Sequence, residues 1–176
     1  MKISYGITVH NEADELNKLL EILIHKTDKE DEIVICDDYS DDETQFVIQS
    51  AEGRRLGILS DLGSLTPHVV NSYRECHALQ VEANHDPLML ANGPYPPSLR
   101  ARVAGAYGHL SNEQCADFIR RVKWPGLKHV SAGHISEKNN DRNLVAQVLA
   151  EAIGCPPQDV PLLSQDEMSD WVALND

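Results

Sequence analysis

Apolar and polar positions along the chain alternate between two periods. Ile3 to Val9 is an apolar, β-branched run, which predicts a buried strand. Asn11 then offers an N-cap, and Glu12, Asp14 and Glu15 suit the first turn of a helix. Leu16, Leu19, Leu20 and Leu23 recur at helical spacing behind them. After a charged turn from Lys26 to Glu30, Glu32 to Cys36 predicts a second short strand, ending in Asp37-Asp38-Tyr39-Ser40-Asp41-Asp42. The pattern is a β-α-β unit of about forty residues, which favours parallel strands with a right-handed crossover.

From Gln45 the character changes. Gln45 to Gln49 and Arg55 to Leu59 are strand-like, with a turn at Glu52-Gly53 between them, and Asp61-Leu62-Gly63 closes the second. Pro67 suits the first turn of a helix running to Cys76. Ala78 to Ala83 predicts another strand. Asp86 to Gly108 contains four prolines and three glycines, and reads as a long, semi-rigid, ordered loop with a short helix around Ser98 to Val103. Tyr95 and Leu99 are its expected inward anchors. Ser111 caps a helix from Asn112 to Val122, and Lys128 to Ala132 is a strand ending at Gly133-His134. Asp141 or Asn143 starts a helix that stops at Gly154, and Val160–Leu163 and Trp171–Leu174 are candidates for short final strands.

Composition narrows the function. The 176 residues are 41% hydrophobic but only 5% aromatic, so the chain can bury a core and that core is mainly aliphatic. A net charge of −13 argues against non-specific binding to a nucleic-acid backbone, yet leaves room for a local pocket or a cation that handles a phosphate. No apolar run is long enough to span a bilayer, and Met1-Lys2-Ile3-Ser4 leads straight into a strand pattern. Cys36, Cys76, Cys115 and Cys155 lie far apart without a C-x-x-C pair, so a reduced, cytoplasmic chain without a zinc-finger or disulfide framework is the expectation.

Ile7-Thr8-Val9-His10-Asn11-Glu12, then Asp31 to Ser40 and Thr44, resembles the start of inverting nucleotide-sugar glycosyltransferases. The resemblance covers residues 1–44. It implies that Thr8, Asn11, Asp37 and Asp38, at the ends of two parallel strands, hold the base and ribose of a uridine nucleotide. The later Asp-x-Asp motif of that family, which binds a metal and the diphosphate, is absent from this sequence, as is an acceptor region with a catalytic base. Sugar transfer is therefore not expected.

A second resemblance covers about residues 45–176. Arg55-Leu56-Gly57-Ile58-Leu59-Ser60-Asp61-Leu62-Gly63, Val81-Glu82-Ala83-Asn84-His85-Asp86, Gly108-His109-Leu110-Ser111-Asn112 and Ala132-Gly133-His134-Ile135-Ser136 occur in order. They are similar to the C-terminal half of a bacterial branch of the metallo-β-lactamase superfamily that includes phosphodiesterases and exonucleases. The resemblance implies that Asp61 is the carboxylate bridging two metal ions and His134 a ligand of the second. It implies that His109 contacts the scissile phosphate and that His85 belongs to the same pocket. Zn²⁺ or Mn²⁺ would suit imidazole and carboxylate donors. The superfamily's His-x-His-x-Asp-His motif, which supplies most of the ligands, is absent, and no histidine occurs between His25 and His68. At most one weakly held ion and little or no hydrolysis are expected.

The fold class implied is α/β, a mixed sheet with covering helices, in which an N-terminal β-α-β unit joins half a metallo-β-lactamase fold near residues 41–45, in one compact whole. A phosphodiester or nucleotide is the implied substrate. If the apolar helix face at Leu16, Leu19, Leu20 and Leu23 does not cover the sheet, the exposed surface should drive homodimerisation. Plainer readings stand beside these. Asp61 can be a turn residue before Gly63, and His109 a residue leading into the Ser111 cap. His85 can pair with Asp86 or Glu82 in the core, and Asp37, Asp38, Asp41 and Asp42 can form a solvated acidic turn. On those readings the chain is a non-catalytic chimeric α/β domain.

Overall fold

The structure, a computed structural model, describes residues 53–167 and 169 in full, the backbone of 4–9, 32–37 and 46–49, and Lys18. By its internal contacts the chain divides into two compact units, Met1–Thr44 and Gln45–Asp176. In the first, β1 (Ser4–Val9) and β2 (Glu32–Asp37) pair in parallel, in register from Ser4 opposite Glu32 to Val9 opposite Asp37. Asn11, the leucines expected to form the apolar face between these strands, Asp38, and the final strand expected at Trp171–Leu174 all lie outside the described residues.

The second unit is built on a four-stranded mixed sheet in the order β3 (Phe46–Gln49), β4 (Arg55–Leu59), β5 (Ala78–Glu82), β6 (His129–Gly133). β3 and β4 are antiparallel, and Gly53, with φ of 81°, lies in their connection, where a left-handed residue is needed. β4, β5 and β6 are parallel, which requires long crossovers rather than tight turns. These carry α1 (Pro67–Ser72) between β4 and β5, and α2 (Pro87–Asn92), α3 (Pro97–Val103) and α4 (Asn112–Val122) between β5 and β6. α5 (Arg142–Ile153) follows β6.

Helix ends form where the side chains dictate. Ser111 and Gln114 make a reciprocal capping box at the start of α4. Asp141 accepts from the Asn143 and Leu144 amides to begin α5, and left-handed Gly154 stops it. The core is aliphatic with one edge-to-face aromatic pair, Tyr73 on Phe118. Tyr73 donates its hydroxyl to the Ile58 carbonyl, and its ring lies so close to Gly57 that a Cβ there would meet it at 2.5 Å.

Two expectations need correction. Asp86 to Gly108 is mostly helical, not loop: Pro87 and Pro97 each start a helix at a position where no amide hydrogen is needed, and Asp86 caps the first by accepting from Met89. Its inward anchors are Leu90 and Val103, whereas Leu99 is 37% exposed and Tyr95 half-buried. Val160–Leu163 does not form a strand. It follows a 3-10 turn (Pro157–Asp159) and makes a single parallel bridge, Leu162 to Ala132. Among the described residues no helix is long and apolar enough to cross a membrane.

Candidate functional site

Three parallel strands end side by side, and each end delivers a polar side chain. Ser60 and Asp61 follow β4, Glu82 closes β5, and His134 follows β6. The carboxyl edge of a parallel sheet is where ligand crevices form, because the chain must turn away there and leaves its side chains facing outward. The turns at this edge are sharp. Asp61 and His134 have φ of 55° and 50°, a left-handed backbone that residues other than glycine rarely adopt. Asn84 holds the second turn in place by donating to the His134 carbonyl at 3.0 Å.

His109 arrives from the loop between α3 and α4. Its amide donates to the Val103 carbonyl, and the Gly108 amide donates to Gly105, so the segment folds into a tight knuckle. The knuckle presses on the Asp61-Leu62-Gly63 turn: a Cβ on Gly63 would lie 2.4 Å from the Gly108 nitrogen and 2.5 Å from the Gly105 oxygen. On the other side the Asn84 amide donates to the Leu110 carbonyl.

These elements bring four groups together. His109 Nδ1 lies 2.7 Å from Glu82 Oε1 and 3.6 Å from Asp61 Oδ1. His134 Nδ1 lies 3.4 Å from Glu82 Oε1 and 3.6 Å from Asp61 Oδ1. The two imidazoles meet edge to face. Ser60 donates its hydroxyl to Asp61 Oδ2 at 2.7 Å, and the Leu62 amide donates to Glu82 Oε2 at 3.2 Å. Asp61, His109 and His134 each offer a donor atom, all within 4.8 Å of one another.

Glu82 is fully buried, an unusual place for a carboxylate. Burial raises its pKa, and the neighbouring imidazoles partly offset this. The short contact to Glu82 raises the pKa of His109, outweighing the opposing effect of that ring's own burial. Although 2.7 Å apart, Glu82 Oε1 and His109 Nδ1 are buried without a well-aligned hydrogen bond. Unspent lone pairs beside two further ligand-type side chains fit a small cation.

The expected site residues therefore divide. Asp61, His109 and His134 come together. The sequence leads one to expect Asp61 and His134 at the ends of neighbouring strands, but β5 runs between β4 and β6 and inserts Glu82. His85 is only 3% exposed: its carbonyl accepts from the Asn112 amide, and burial lowers its pKa. Its ring Nδ1 has no hydrogen-bond partner. Thr8 and Asp37 lie in the paired strands β1 and β2, described by backbone alone, while Asn11 and Asp38 fall outside the described residues. Sequence reasoning passed over Glu82 as a site residue. Its signal was a lone charge at the end of the apolar strand Ala78–Glu82.

The family described as Glycosyl transferase family 2 matches residues 4–59. Exodeoxyribonuclease YycJ of Bacillus anthracis is 32% identical over 62% of this chain and 43% of its own length. Exodeoxyribonuclease WalJ of Streptococcus pneumoniae is 28% identical over 62% of this chain and 40% of its own. The chain thus spans less than half the length of these curated relatives. A solved diphosphatase of the PhnP family aligns at a TM-score of 0.34 and 14% identity, covering 74% of this chain and 47% of that one. The C-terminal part of the chain resembles metallo-β-lactamase-fold hydrolases of the phosphodiesterase and exonuclease branch, and the N-terminal segment resembles the start of an inverting glycosyltransferase. Two resemblances meet in one chain.

Proposed function

We propose that the second unit carries half of a metal-dependent phosphodiester hydrolase site, which holds at most one Zn²⁺ or Mn²⁺ weakly and turns over phosphodiesters slowly or not at all. The observation that carries this is the convergence of Asp61, Glu82, His109 and His134 at the ends of three parallel strands. Asp61 and His134 would hold the ion. A divalent ion in such a place supplies Lewis-acid polarisation of a phosphoryl oxygen. His109, held against Glu82, donates a ring N–H to a phosphate oxygen. Glu82 is a positioning residue, holding His109 on one side and the Leu62 amide of the Asp61 turn on the other. His85, closed off from solvent, supports the site rather than touching substrate.

The low affinity follows from the donor count. The missing His-x-His-x-Asp-His motif would have contributed several ligands, and water replaces each of them poorly. Elemental analysis and calorimetric titration with Mn²⁺, run beside turnover of bis(p-nitrophenyl) phosphate, test the reading. The expected result is no more than one equivalent of metal, its binding weakened in Asp61→Asn and His134→Ala by more than the roughly ten- to hundredfold that losing a ligand's orienting partner costs, with turnover near background. Two equivalents with robust turnover, abolished by His134→Ala, would overturn it and mean that other residues have rebuilt the missing half.

We also propose that residues 1–44 form a uridine-nucleotide-binding segment without transferase activity, joined to the rest near residues 41–45. The match to residues 4–59 and the parallel β1–β2 pair support it. Carboxylates and hydroxyls at the end of such a pair can hydrogen-bond a base and ribose. Thr8, Asn11, Asp37 and Asp38 would make those contacts. Uridine diphosphate should raise the melting temperature of the parent chain and not of Asp38→Ala. Sugar transfer from a nucleotide sugar, lost in Asp38→Ala, would contradict the proposal.

A further inference from the structure

The three ligand-type side chains at this edge of the sheet are not held alike. Asp61 is gripped by its own carboxylate: Ser60 donates to Oδ2 at 2.7 Å, which leaves Oδ1 facing the two imidazoles. His109 is gripped by its ring, 2.7 Å from Glu82 Oε1. His134 has no contact so short. Its Nδ1 stands 3.4 Å from Glu82 Oε1, 3.4 Å from Ser60 Oγ and 3.6 Å from Asp61 Oδ1, and its side chain is 36% exposed. No short hydrogen bond aims this ring and more than a third of it is in solvent, so its direction is set chiefly by its backbone.

That backbone is left-handed, with φ of 50°, a state that a residue bearing a Cβ keeps only where its surroundings hold it there. The hold comes from Asn84, the second residue after β5 and only 8% exposed. Its carboxamide donates to the His134 carbonyl at 3.0 Å, and its main-chain carbonyl accepts from the Ser136 amide at 2.9 Å, so the turn is bracketed at both ends. Its main-chain amide donates to the carbonyl of Leu110, the residue after His109. One buried asparagine thus lies between the two loops that bring the imidazoles. Of its three bonds only the first depends on the side chain, and only a donor can make it. An aspartate would set oxygen against oxygen, and a leucine of similar size offers nothing.

We propose that Asn84 is a positioning residue for the metal site: its carboxamide keeps the His134 backbone left-handed and so keeps the His134 imidazole turned toward Asp61. The proposal rests on the reading of Asp61 and His134 as metal ligands, and adds what sets the second of them in place. Without the carboxamide, His134 falls back to the right-handed or extended backbone that a side-chain-bearing residue prefers, and its Cβ swings away from Asp61. Residues that orient a ligand without touching the ion are worth about ten- to a hundredfold in metal affinity.

The test is a double-mutant cycle on the full chain, read by calorimetric titration with Mn²⁺. Asn84→Leu is expected to weaken binding about ten- to a hundredfold in the parent, and to change it by less than about twofold where His134→Ala has already removed the ring. Asn84→Ala, which crowds nothing, should repeat both results and stands in if the leucine variant does not fold. Trp124→Phe loses the bond from the indole Nε1 to the Cys76 carbonyl at the opposite end of the sheet. It should lower the melting temperature and leave Mn²⁺ affinity unchanged. Asn84 variants that bind like the parent, that lose equally with and without the His134 ring, or whose loss Trp124→Phe matches, overturn the role of Asn84 and leave the metal reading standing. A parent that binds no Mn²⁺, or a His134→Ala protein that binds as well as the parent, overturns the metal reading itself and the role of Asn84 with it.

Discussion

Gly63→Ala should cost about 3 kcal/mol of stability and weaken Mn²⁺ binding about tenfold or more. The added methyl would lie 2.4 Å from the Gly108 nitrogen, 2.5 Å from the Gly105 oxygen and 2.6 Å from the Ala106 oxygen. All three are backbone atoms, so no rotamer change can make room. Either the Asp61 turn or the knuckle bearing His109 must shift, and each shift opens the 3.6 Å separation between the two side chains. Urea denaturation and metal titration of the same variant read both effects. Gly53→Ala is the control. Gly53, unlike Gly63, has a left-handed backbone, and nothing lies within 4 Å of an added Cβ. It should lose about 1 kcal/mol through strain and bind metal as before. A Gly63→Ala protein indistinguishable from the parent would show that the knuckle is fastened elsewhere.

Asn140→Leu should be at least as damaging to stability, again about 3 kcal/mol, by a different route. The amide of Asn140 is buried and fully used. Its nitrogen donates to the Ala83 carbonyl and to Asn112 Oδ1, and its oxygen accepts from Asn112 Nδ2 and the Asp141 amide. Those bonds join the residue after β5, the first residue of α4 and the cap of α5. A leucine fills the space but leaves both polar atoms of Asn112 and the Ala83 carbonyl without partners in a buried place, and orphaned groups cost more than the bonds themselves contribute. The double variant with Asn112→Leu removes two of the orphans and should recover part of the loss. Denaturant midpoints at constant m-value measure this. A double variant no more stable than Asn140→Leu would mean that packing, not polar satisfaction, sets the cost.

What could be read in advance was what local chemistry decides. Ser111 with Gln114 and Asp141 with Gly154 mark helix ends through side chains that meet orphan backbone groups, and those helices fall where the pattern places them. Arg55–Leu59 was legible because its short, mostly apolar run is bounded by turn residues at Gly53 and at Asp61-Leu62-Gly63. Pro87 and Pro97 misled because proline carries two meanings: it breaks a helix interior and suits a helix start, and only the cap at Asp86 and the packing of Leu90 and Val103 decide between them. The gathering of Asp61, His109 and His134 came from ordered blocks resembling a family, not from periodicity. Glu82 was hidden for the complementary reason. Its place between the other two strand ends depends on strand order, and a sequence written in chain order does not display which strands lie side by side.

Asp61 and His134 hold left-handed backbones that cost a side-chain-bearing residue about 1–2 kcal/mol each relative to glycine. A laboratory selection that favoured heat resistance alone would therefore find two simple improvements, glycine at 61 and glycine at 134. Each would make the protein more durable and delete one arm of the cluster. At those two codons durability and chemistry pull in opposite directions, so thermostable descendants would be expected to be the ones with the emptiest site.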